Sequence, residues 1–173
     1  LGSDANFSTT VTNSIATKLP LAGGTLTGNL TISSGGLSVT GAITGTTDAT
    51  INGLTVGKGG GNVATNTAFG ASALVSGTTG VANVAIGGFV LDANTSGGSN
   101  TGCGYGSLSA NTTASNNSGF GKNALMSNTT GADNTASGFE ALKVNTTGSQ
   151  NVAIGALALD ANITNSGNTA IGY

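Results

Sequence analysis

Residues 117–133 read NSGFGKNALMSNTTGAD and residues 134–150 read NTASGFEALKVNTTGSQ, two lines of 17 that align without a gap. Each begins with Asn, has Gly four places later, Leu eight places later and a second Asn eleven places later. Extending the alignment in both directions puts the leading Asn at Asn66, Asn83, Asn100, Asn117, Asn134, Asn151 and Asn168. The Leu slot holds Leu74, Leu91, Leu108, Leu125, Leu142 and Leu159. A unit this short cannot hold a helix pair, and one this regular does not suit a sandwich. It predicts an all-β fold, a parallel β-solenoid or β-roll with one 17-residue coil per unit. Six complete coils spaced by about 4.8 Å would make a section about 29 Å long.

Stacking equal coils turns each slot into a column. The leading Asn and the Leu residues become structural ladders, the Asn amides bonding up the stack as in other cross-β assemblies. A third column, three places after the Asn, holds Phe69, Ile86, Cys103, Phe120, Ser137, Ile154 and Ile171. We expect two strands per coil, one over Asn-x-Ala-x-Gly and one around the Leu. Alternation along the first strand sends the third place to one face and the small second and fourth places to the other. Large residues suit the coil interior, which would make Cys103 a buried filler. The small places either face a threefold axis between identical chains or narrow the coil interior; both readings stand at this point. The second Asn (Asn94, Asn111, Asn128, Asn145, Asn162), followed by Thr or Ser and often by Gly, marks a corner.

Composition leads to the same architecture. The 173 residues include 31 Gly and only 6% charged residues, against roughly 7% Gly and about 25% charged in average globular proteins. Aromatics are 4% and Trp is absent, so a compact monomer has few bulky groups to offset the entropy of ordering its glycines. A homotrimer that shares a core among copies would supply the missing burial. With four Lys, no His and a net charge of −2, the chain offers no basic patch to a phosphate backbone, so no nucleic-acid partner is expected. No apolar run approaches the roughly 20 residues that cross a bilayer, so no membrane insertion is expected. The absence of an initiator Met leads us to expect an internal piece of a longer protein.

Ahead of the repeats, residues 1–20 read as a polar connecting segment in which Val11, Ile15 and Leu19 fall at helical spacing. Residues 21–65 form a Gly/Thr-rich stretch whose short alternating runs, Leu30–Ile32, Leu37–Val39 and Leu54–Val56, read as strands of a β shaft. A flexible Gly-rich linker is the competing reading of that stretch. Residues 66–173 are the solenoid.

NTTGADNTASGFEAL and NTTGSQNVAIGALAL resemble repeats of phage tail fibres, and LPLAGGTLTGNL resembles the Gly-Gly-Thr-Leu-Thr-Gly motif of fibre shafts. NVAIG at 83–87 and 151–155 is also similar to the head repeat of bacterial trimeric autotransporter adhesins, although those repeats are shorter. The resemblance implies a structural segment of a trimeric viral tail fibre that projects a host-recognition tip. It implies a virion, extracellular location, other virion tail proteins as partners, and a host surface glycan met through a distal tip. Two alternatives remain: a bacterial trimeric surface adhesin head, or a non-catalytic part of a polysaccharide-depolymerase tailspike. Fibres of this kind often end in an intramolecular chaperone of the endosialidase type, and no stretch of this sequence matches one.

The residue set argues against an enzyme. Without His, the usual nucleophilic triads and zinc sites have no base or ligand. Asp92 and Asp160 share one slot but lie four coils apart, roughly 19 Å, whereas a glycosidase pair needs about 5–9.5 Å. Asp133 and Glu140, and Lys122 and Lys143, occupy different slots and read as solvated charges. The lone Cys103 can form no internal disulfide, LDANTSGG around Asp92 lacks the alternating acids of a calcium loop, and no cofactor is expected. Thr pairs such as Thr129/Thr130 read as turn caps in preference to an ice-ordering ladder.

Overall fold

A computed structural model describes residues 48–51 and 54–173. The segment 1–20 and the shaft runs Leu30–Ile32 and Leu37–Val39 lie outside the described residues. Within them, nine strands form one sheet in chain order: β1 (Ala49–Ile51), β2 (Leu54–Gly57), β3 (Thr67–Gly70), β4 (Val84–Ile86), β5 (Thr101–Cys103), β6 (Ser118–Phe120), β7 (Thr135–Ser137), β8 (Val152–Ile154) and β9 (Thr169–Ile171). From β3 to β9 every pairing is parallel and in register with the repeat, Val84 against Thr101, Ala85 against Gly102, Ile86 against Cys103. The chain is therefore a parallel β-solenoid of about six coils.

Each coil contributes one strand, not the two expected. The stretch around Leu is a run of turns, and all six leucines of that column have φ between 49° and 54°. An L residue in this left-handed region costs about 1–2 kcal/mol, so something must hold it there. Two things do. Leu74, Leu91, Leu108, Leu125 and Leu142 are fully buried, and their amides donate along the axis, Leu108 to Ala124 O at 3.0 Å and Leu125 to Ala141 O at 3.0 Å. Burial of a Leu side chain contributes about 1.5–3 kcal/mol, enough to outweigh the strain.

The strand ends where Gly turns the corner. Gly121 has φ 128°, and a methyl group built there would sit 2.4 Å from the Gly138 carbonyl oxygen of the next coil. Two coils approach so closely at this column that only Gly fits.

The parallel stack changes character at its first coil. β2 runs antiparallel to β3, pairing Val56 with Phe69, and β1 folds back on β2. Asp48 fixes this hairpin to the coil: its carboxylate oxygens accept the Lys58 and Gly59 amides, each at 2.6 Å.

Candidate functional site

Both Asn columns lie inside. Asn83, Asn100, Asn117, Asn134 and Asn151 are fully buried, as are Asn94, Asn111, Asn128 and Asn145. In the leading column Oδ1 of Asn83, Asn100, Asn117, Asn134 and Asn151 receives two bonds from the next coil, as Asn83 Oδ1 accepts the Asn100 amide at 3.0 Å and Asn100 Nδ2 at 3.2 Å, while Asn66 Oδ1 accepts the Asn83 amide alone. The corner column repeats the side-chain step, Asn111 Nδ2 to Asn94 Oδ1 at 3.0 Å. One carbonyl per coil joins the two ladders. Ala114 O accepts Asn100 Nδ2 at 2.8 Å and Asn111 Nδ2 at 3.0 Å, and Gly131 O does the same for Asn117 and Asn128. This brace across the coil satisfies amides that would otherwise be costly to bury. In the first coil Gly77 stands in the corner slot, and the Thr78 hydroxyl accepts Asn94 Nδ2 instead. The ladders thus serve the stack and present nothing to a ligand.

The strand faces are the reverse of the expected arrangement. Ala68, Ala85, Ala136 and Ala153 point into the coil and are buried, as are Gly102 and Gly119. The large third-place residues point outward, with Phe69 48%, Ile86 41%, Phe120 45%, Ile154 42% and Ile171 76% exposed. Of the two readings of the small places, the coil interior is the one observed. The reason is size. Leu and two Asn columns already occupy the narrow cross-section, leaving room for a methyl and no more. Cys103 follows its column outward and is half-buried, not a core filler.

Beside this column runs an aromatic corner that the sequence reading missed, because its slots, five and six places after the Asn, vary in residue type. Tyr105 and Phe139 occupy the first and Phe89 the second. All three are exposed. Phe89 and Tyr105 meet edge to face with centroids 5.6 Å apart, and Lys122 lies 5.9 Å from the Phe139 ring centre. The spacings of Phe89 to Tyr105 and of Tyr105 to Phe139, close to one and two repeat lengths, were the available signal.

Lys143, Glu140 and Asp133 are tied locally. Lys143 Nζ lies 3.1 Å from Glu140 Oε2, Asn123 donates to Glu140 Oε1 at 3.2 Å, and Asn116 donates to Asp133 at 3.0 Å. The Lys143 ammonium, then the Asn123 amide, holds the Glu140 carboxyl below the usual Glu value. Asp92 is half-buried with one carboxylate oxygen enclosed and unpartnered, while Asp160 of the same slot is exposed. A shallow depression of about 290 Å³ at the hairpin end is lined by Asp48, Gly59, Gly60 and Asn62. Among the described residues no three His, Cys, Asp or Glu side chains come together as a metal site, and no helix is long and apolar enough to cross a membrane.

Comparison of the chain with family models, with curated proteins and with solved structures finds no match.

Proposed function

We propose that this solenoid is a structural segment of a trimeric fibre of the phage tail type, a spacer that carries a host-recognition tip away from the particle. The observation that supports this reading most is axial uniformity. Six coils follow one another in a single register from β3 to β9, so each coil repeats the cross-section of the last. Cohesion between coils comes from buried Leu, Ala and Asn columns, which leaves the lateral faces free to vary without loss of the rod. The fibre resemblance of NTTGADNTASGFEAL and LPLAGGTLTGNL adds the tail-fibre assignment, with virion tail proteins as neighbours and a host glycan as the tip's target.

Under this reading the segment carries no catalytic step, and the charges that decorate it are dispensable for attachment. Particles whose fibres carry Lys143→Ala or Asp160→Asn should assemble and adsorb to host cells as well as the parent. Loss of adsorption by either variant with the fibre still assembled would mean that the solenoid itself touches the host. The segment would then be an adhesin head.

A further inference from the structure

We propose that the outward face of strands β3–β9, with the aromatic corner beside it, is where copies of this chain pack on one another, with the Phe69–Ile171 column turned toward a shared axis. The partner is a second copy of the same chain, and its parallel, threefold placement rests on the fibre reading above.

The first support is area. Across the strand face and the aromatic corner beside it, five half-exposed rings, Phe69 and Phe120 on the strands and Phe89, Tyr105 and Phe139 in the corner, together with Ile86, Ile154 and Ile171, leave roughly 700 Å² of apolar side-chain surface in water, taking about 150–250 Å² for each whole aromatic. That exceeds the about 300–600 Å² of the largest patch on an ordinary monomer and approaches the about 800 Å² that each partner of a stable interface buries.

The second support is where charge is absent. The two outward columns of the strand are Thr67, Val84, Thr101, Ser118, Thr135, Val152, Thr169 and the apolar column, with no ionisable group except the Cys103 thiol. The corner slots that add Phe89, Tyr105 and Phe139 to the face also hold Lys122, which lies over the Phe139 ring, and Glu140, which is bonded to Lys143 and Asn123, while Asp92, Asp133 and Asp160 stand in slots outside both. An uncharged strand face, whose only neighbouring charges sit in the corner beside it and are already partnered, suits a like face better than a charged partner.

The third support is repeat matching. A second copy set parallel presents the same columns at the same axial spacing, so every coil meets its equivalent and the contact repeats six times. An unrelated partner would match at one level only. The fixed Phe89–Tyr105 contact holds two rings of the corner in place beforehand, which lowers the ordering cost of association.

Cys103 reports on the face directly, because in a lone chain its thiol is partly open to solvent. The 173-residue chain should sediment at three times the 16.3 kDa of one chain. Its Cys103 should react with a small maleimide at least tenfold more slowly than in the variant Ile86→Ser/Phe120→Ser/Ile154→Ser, which should sediment as a monomer with its β circular dichroism retained. Ser137 already occupies this column, so the coil accepts Ser there. As a control, a thiol placed by Val81→Cys in a Cys103→Ser chain, on an exposed slot away from the strand, should react fast while the trimer persists. If the triple variant does not fold, protection of Cys103 against fast labelling at position 81 decides the matter within intact trimers. A trimer with a fast Cys103, or a folded triple variant that stays trimeric, overturns the choice of face and leaves the fibre reading standing. A folded monomer from the unaltered chain overturns both.

Discussion

Val90 and Gly102 share one place in the core. A methyl group built on Gly102 would lie 2.4 Å from Val90 Cγ1, so the larger residue in one coil is matched by the missing side chain in the next. Ser107 and Gly119 repeat the arrangement, the built methyl lying 2.5 Å from the Ser107 hydroxyl. Elsewhere the same two slots are both Ala, as in Ala124 with Ala136 and Ala141 with Ala153. The coil interior conserves volume in pairs, one residue from each neighbouring coil.

That pairing predicts strong coupling. Gly102→Ala alone should cost about 1–3 kcal/mol by overpacking. Val90→Ala alone should cost about 2 kcal/mol, from the lost methyls and the cavity left behind. The double variant recreates the Ala–Ala pair of the later coils and should lose much less than the sum. Denaturant unfolding of the four chains measures the coupling, and additive losses would show that the two side chains do not compete.

The Leu column is the main apolar cohesion between coils. Leu125→Ala, in the middle of the stack, should cost about 2–5 kcal/mol per chain, read as a lower midpoint in thermal unfolding. Leu159→Ala should cost less, because Leu159 is only partly buried.

Asn117 makes bonds to the coils on both sides and to its own. Its Oδ1 accepts the Asn134 amide and Asn134 Nδ2, and its Nδ2 donates to Asn100 Oδ1 and Gly131 O. Asn117→Ala strands several buried polar groups, each costing about 1–3 kcal/mol. The chain should unfold at lower denaturant, and amides of the coils starting at 117 and 134 should exchange faster than those at the ends of the stack relative to the parent.

The buried polar groups are Asn, Thr and Ser, none of which titrates. Stability should therefore change little with pH. Glu140 adds a small slope: its carboxyl is held below the ordinary value, so its contribution is present above that value and fades as pH falls through the lowered one. The melting temperature should be flat from about pH 8 to pH 5 and dip slightly below the usual Glu range near 4.3. Glu140→Gln should remove the dip.

What the amino-acid sequence determined by itself was the axis: residues that recur every 17 places must share an environment, and stacking one coil on the next is how a chain this poor in bulky side chains gives them one. The Asn and Leu columns, the Gly corner and the parallel register β3–β9 all follow from that period. The Val90–Gly102 exchange was not legible there, because the period does not say that the slot seven places after one Asn touches the slot two places after the next. What the tertiary structure decided was inside from outside. Alternation along Val84-Ala85-Ile86 separates two faces of a strand but does not say which is enclosed, since that depends on the width of the closed coil. With Leu and two Asn columns already within, the coil closes around a methyl, and Phe69, Ile86 and Phe120 are left on the surface. The same closure puts the leucine column at positive φ, a conformation that local propensity opposes and that, for Leu74, Leu91, Leu108, Leu125 and Leu142, burial of the side chain and an axial hydrogen bond sustain.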